Sequence, residues 1–215
     1  MHIPTLFRTA LAAVLACLLG ASSAYATNQP DAAGAQTMLS AVQRDMVAAL
    51  QDPAAHGDQT AIEKLVNRLL VPHVDLDRAS ILVLGDHWRN ATPEQRARFV
   101  DEFRSFLVRF YSGALASYVK SNAVPADVIR FDRPPALQSE TQALVHSVVR
   151  QDDGKTVPVE YRLYWSDGWR VIDVSVGGIS IARNYRSQFA SRVAQVGMDG
   201  LIAELAQRNG EQAAR

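Results

Sequence analysis

Cysteine is almost missing from this chain: the 215 residues hold one, Cys17. It falls in an N-terminal stretch with the marks of a secretory signal. Arg8 sits in a short polar opening, and the apolar run from Leu11 to Leu19 is too short to span a bilayer. Ala24-Tyr25-Ala26 then supplies the small-x-small pattern that a signal peptidase cuts. Cleavage is expected after Ala26. A retained membrane anchor and lipid attachment at Cys17 are the other readings, but the apolar run is short for an anchor, Leu15 suits the lipid site poorly and the run continues past the cysteine. An exported chain starting at Thr27 would have no cysteine, which rules out disulfides, thiolate zinc sites and cysteine nucleophiles. Stability must come from packing.

An excess of one charge is also missing. The chain carries 22 basic and 22 acidic residues, and loss of Arg8 leaves the acids ahead by one. No basic surplus points to nucleic acid, and no charge run suggests a polybasic membrane anchor. No stretch after the signal is apolar enough to cross a membrane. The common catalytic signatures are missing too: no Gly-x-Ser-x-Gly elbow, no His-Glu-x-x-His, no phosphate loop and no dinucleotide fingerprint. His73 with Asp75, and Asp86 with His87, lack a third ligand at a usual spacing, so capping and surface roles are expected for them.

What the sequence does contain is a full set of amphipathic elements. Residues 27–36 read as a flexible leader, and 37–210 as a single domain. Met38, Leu39, Val42, Met46 and Leu50 share one face of a first helix. Asp52-Pro53 and His56-Gly57 break it. Ile62, Leu65, Val66, Leu69 and Leu70 form the inner face of a second helix that Pro72 ends. Asp77 is placed to cap a short helix stopped by Gly85. Thr92-Pro93-Glu94-Gln95 is a capping box with proline at the first helical position. It opens a long helix reaching about Lys120, with Phe99, Phe103, Phe106, Phe110, Tyr111 and Tyr118 at helical spacing.

Beyond Ser121 the period changes from helical to two. Strands are expected at Val124–Phe131, Thr141–Arg150, Val157–Trp165 and Trp169–Val176, joined by tight turns at Asp153-Gly154 and Asp167-Gly168 and therefore antiparallel. Helical spacing returns near Ser180–Ala194 and Met198–Gln207. The expectation is α+β: N-terminal helices and one long aromatic helix on a twisted antiparallel four-stranded sheet, then C-terminal helices. An aromatic helix over a curved sheet can leave an apolar cavity, although such a stripe can equally be solid core. Arg183, Arg186 and Arg192 could meet phosphate or an acidic partner, or form a solvated face.

The segment Val83-Leu84-Gly85-Asp86-His87-Trp88-Arg89-Asn90-Ala91-Thr92-Pro93-Glu94-Gln95-Arg96, with the spacing on to Phe99, Phe103 and Tyr111, resembles the central signature of the MlaC family, the toluene-tolerance auxiliary proteins. Trp169-Arg170-Val171-Ile172-Asp173-Val174, Gly178-Ile179-Ser180, Asn184-Tyr185-Arg186-Ser187-Gln188-Phe189 and Gly197-Met198-Asp199-Gly200-Leu201-Ile202 with Leu205 extend the likeness from about Thr37 to Arg208. Gly177 departs from it, since many members carry an acidic residue there. The resemblance implies a periplasmic carrier without cofactor or enzymatic activity. Such a carrier holds glycerophospholipid tails in an internal cavity. It exchanges lipid between an outer-membrane lipoprotein complex and an inner-membrane ABC transporter complex that maintain outer-membrane asymmetry.

Resemblance and periodicity together place the cavity between the aromatic helix and the concave sheet face. Its expected wall is Phe103, Phe106, Phe110, Tyr111, Val145, Val159, Tyr161, Leu163 and Val174, with Leu84 and Trp88 near one end. Two rival readings remain. One is an enzyme on a cone-shaped scaffold of the ketosteroid-isomerase type with Asp173 as base; the other is an interaction module without a cavity.

Overall fold

The computed structural model describes residues 30–52, 58–151 and 153–213. The expected signal peptide, its cleavage site, the start of the leader and the break at Pro53–Gly57 lie outside the described residues.

Helix α1 spans Ala32–Leu50 and so begins before the expected start at Thr37. The Asp31 carboxylate caps it by accepting from the Gly34 amide, and Ala32 and Ala33 suit a first turn. The indole N–H of Trp169 donates to the Asp31 carbonyl at 2.9 Å, tying this end of the helix to the sheet. Helix α2, Gln59–Leu69, is capped by Asp58. A 3₁₀ turn at Val71–His73 leads to Val74, which bridges Val171 in parallel, while the Asp75 amide donates to the Val171 carbonyl at 2.9 Å.

Helix α3, Leu76–Leu84, is capped by Asp75 and not by Asp77. The Asp75 carboxylate accepts from the Arg78 amide at 2.9 Å and from the Arg78 guanidinium at 2.6 Å, which leaves Asp77 inside the first turn. Gly85, at φ +55°, ends α3 in a conformation that disfavours a side chain. The short α4, Asp86–Asn90, precedes α5, Pro93–Ser121. Both capping-box bonds of α5 are present, at 3.1 and 3.2 Å between Thr92 and Gln95.

The strands are β1 (Ile129–Phe131), β2 (Ala136–Ser139), β3 (Gln142–Arg150), β4 (Thr156–Trp165), β5 (Trp169–Val176) and β6 (Ile179–Ser180). They form one six-stranded sheet in the order β1-β3-β4-β5-β6, with β2 also paired to β3, and every pairing is antiparallel. Two strands exceed expectation because Pro134-Pro135 divides the edge into β1 and β2, and because Gly177-Gly178 turns the chain into β6. The first expected strand shortens to Ile129–Phe131, since a turn from Pro125 to Val128 precedes it. Helix α6 covers Ile181–Ala213 and is broken at Gly197, φ +72°, which divides it into the two expected helical stretches.

The expectation that the aromatic stripe lies on the sheet needs correction. Phe99, Phe103 and Phe106 of α5 pack with Val83 and Leu84 of α3 and with Ala182, Phe189, Leu201, Ile202 and Leu205 of α6. Tyr185 and Phe189 sit one turn apart on α6, and their rings meet Phe103 edge-on at 6.0 and 5.8 Å. Helix against helix fits these bulky rings together closely. A second core joins Met46, Leu50, Ile62, Val66 and Val119. A third joins Ala35, Leu39, Ala143, Val145, Leu163 and Trp169 where α1 crosses the sheet.

Candidate ligand cavity

Helix α5 has a second apolar face beside its aromatic one. Leu107, Val108, Tyr111, Leu115 and Tyr118 recur at three- and four-residue steps and line open space. The space has two lobes. Lobe one, about 420 Å³, is bordered by α1 (Leu39, Val42, Met46, Val47, Leu50), by Leu115 and Tyr118, and by Ile129, Phe131, Val149 and Tyr161 of the sheet, and opens to solvent on one side. Lobe two, about 400 Å³, lies between Val66 of α2, Ala79 and Val83 of α3, Phe103, Leu107 and Tyr111 of α5, and Ile172 and Val176 of β5. Leu70, Val74, Val171 and Val174 belong to both walls. The Val74–Val171 bridge therefore forms a partition between the two lobes. Each volume falls in the range of about 300–1,000 Å³ common for ligand sites.

Polar groups around this space are few. Gln43 and His73 are the polar members of lobe one, and Gln43 donates its amide to the Ile129 carbonyl at 2.8 Å. Lobe two includes Arg104 and Asp173. Asp173 is buried; it accepts from Ser180 Oγ at 2.7 Å and from the Ala182 amide at 3.0 Å, with the Arg162 guanidinium 3.7 Å away. These bonds tie β5 to the start of α6. Burial, helped by the neighbouring Tyr185 hydroxyl, pushes the Tyr111 hydroxyl up to about 12. Burial also raises the pKa of Tyr161, against a smaller opposing contribution from Ser147. Among the described residues no group of three or more His, Cys, Asp or Glu is arranged to hold a metal ion.

The expected wall residues fall into three sets. Phe103, Tyr111, Tyr161 and Val174 line the lobes. Leu84, Phe106, Val145 and Leu163 lie in the packed cores and line neither lobe, while Trp88 packs against the aromatic core. Phe110 is about half exposed, stacked on Phe106, and Val159 is buried beside a smaller, more polar pocket with His146 and Glu160. The aliphatic wall formed by Val42, Met46, Val47, Leu70, Val74, Leu107, Leu115 and Val171 lies outside the expected set. The periodicity of α1 and α2 marked the right faces, but periodicity cannot separate a face that meets side chains from one that meets open space.

Helices and sheet that leave two adjoining apolar lobes unfilled define a class: an α+β fold with an apolar interior cavity. The MlaC protein family model matches residues 40–207. The chain belongs to the MlaC family. It is 33% identical over 172 residues to the toluene tolerance protein Ttg2D of Pseudomonas putida, covering 77% of each. It is 24% identical over 207 residues to the intermembrane phospholipid transport system binding protein MlaC of Haemophilus influenzae, covering 93% of this chain and 91% of that protein. A phospholipid-binding protein from Ralstonia solanacearum, solved in complex with a phospholipid, superposes with a TM-score of 0.72 at 31% identity, covering 83% of this chain and 98% of that one.

Proposed function

We propose that this protein is a periplasmic carrier that holds the acyl tails of a phospholipid in its two lobes. It ferries the lipid between an outer-membrane lipoprotein complex and an inner-membrane ABC transporter complex, without acting as an enzyme. The observation that carries the reading is the two-lobed interior, lined almost wholly by aliphatic and aromatic side chains. The Ralstonia relative, whose fold this chain shares, is described as binding a phospholipid.

The energetics require such a space. Burying a methylene is worth about 0.8 kcal/mol, so two chains of roughly sixteen carbons would cost on the order of 20–25 kcal/mol to expose to water. A carrier must match the bilayer closely enough that transfer is nearly neutral and docking sets its direction. The head group stays outside, because an unpaired phosphate is very costly to bury. The enzyme reading loses its best base, because the oxygens of Asp173 are occupied by Ser180 and Ala182.

Organic extraction of the purified protein followed by mass spectrometry tests the proposal. Phospholipid is expected. A small polar molecule would favour the enzyme, and an empty extract the interaction module. Val74→Arg with Val174→Arg should abolish the bound lipid while circular dichroism stays native, and full lipid occupancy in that variant would refute the cavity assignment.

A further inference from the structure

Lobe two has two charged side chains in its wall, Asp173 and Arg104. Asp173 is committed to Ser180 and Ala182, as described. Arg104 stands differently. It is exposed and sits on α5 between the cavity residues Phe103 and Leu107, so it lies where the lobe meets solvent. Its guanidinium donates to Asn67 Oδ1 on α2 at 3.0 Å. Arg78, Arg89, Arg98, Arg150, Arg170 and Arg192 each have a carboxylate within ion-pairing distance, but Arg104 has none among the described residues. A neutral amide thus orients the guanidinium without neutralising it, and leaves further N–H donors uncommitted. The wall of lobe one holds no aspartate, glutamate, lysine or arginine.

A phospholipid whose tails occupy this interior keeps one anion close to its glycerol, whatever the head group beyond: the phosphodiester. A guanidinium fork matches two phosphate oxygens in a way a lysine cannot. We propose that Arg104, steered by Asn67, is a phosphate-recognition residue at the rim of lobe two. It makes the carrier prefer glycerophospholipids to neutral diacylglycerols with the same tails, and leaves it indifferent to the head group beyond the phosphate. This inference rests on the carrier reading above.

Displacement of a fluorescent fatty-acyl probe separates the two claims. Diacylglycerophosphocholine and diacylglycerol of identical chains are titrated against wild type, R104Q and R104K, with inorganic phosphate alone as a further titrant. R104Q is expected to weaken the phospholipid about tenfold, roughly one charge-assisted contact. It should leave diacylglycerol unchanged, with R104K in between. Inorganic phosphate should not bind at millimolar concentration. An unchanged ratio of the two lipids in R104Q overturns the inference. So does saturable binding of inorganic phosphate that R104Q removes, which would make Arg104 a site for the free anion. If wild type binds neither lipid, the carrier reading itself fails.

Discussion

Emptying the interior should cost this protein much of its stability, and the size of that cost can be worked out. Residual cavities destabilise by about 24 cal/mol per Å³, so a lobe of about 420 Å³, if dry and rigid, would carry a penalty of about 10 kcal/mol. That rivals the whole stability of an ordinary domain, about 5–15 kcal/mol. The lobes cannot stay so when empty: walls move inward and water enters. If these relieve about four-fifths of the penalty, the two lobes still cost about 4 kcal/mol. A domain of this size loses about 2–4 °C of melting temperature per kcal/mol, so delipidation should lower the midpoint by roughly 8–16 °C. The assay is calorimetry on protein stripped of lipid by unfolding in guanidinium and refolding, with mass spectrometry confirming removal. Reloading with phospholipid should restore the midpoint. A difference under about 3 °C between loaded and stripped protein would refute the reasoning, because it would mean that the walls close without loss and that the space is not held open by the fold.

Two other outcomes follow from polar groups around lobe two. Asp173→Ala strips the Ser180 hydroxyl and the Ala182 amide of their acceptor and leaves Arg162 without its nearby carboxylate. A loss of about 2–4 kcal/mol is expected in urea denaturation, and a loss below about 0.5 kcal/mol would show that the link between β5 and α6 is dispensable. Tyr111, with its pKa raised to about 12, keeps its proton in the folded state beyond the pH at which the unfolded chain loses it. Its contribution is therefore complete below about pH 10 and disappears as pH rises through about 12. Tyr111→Phe should flatten that alkaline decline in stability, and an unchanged profile would place the titration elsewhere.

Much of the scaffold was legible in the residues themselves. Thr92-Pro93-Glu94-Gln95 opened a helix as a capping box should, and Asp167-Gly168 turned β4 into β5. Local chemistry decides such features, so local reading finds them. Asp75 in place of Asp77 as the cap of α3 was harder, because two acids two residues apart both suit the role and the Val171 carbonyl, distant in sequence, selects between them. The cavity was the least legible part. The large rings of α5 suggested a ligand wall, yet Phe99 and Phe106 have partners of matching size on α6, and bulky rings with partners fill space. Open space persists beside the aliphatic residues of α1, α2 and β5, whose counter-surfaces come from elements far apart in the chain.

The broad faces of α5 meet different worlds: solid aromatic packing against α6 on one, open lobes on the other. The molecule therefore has a keel and a hull. On the carrier reading, cargo presses on the hull of α1, α2 and sheet along most of its length, and reaches the keel only at Val83, Phe103 and Ala182. On that reading, a docking station that meets only the far side of the keel, away from these three residues, would greet every copy alike. One that must sort laden copies from spent ones has to feel the hull.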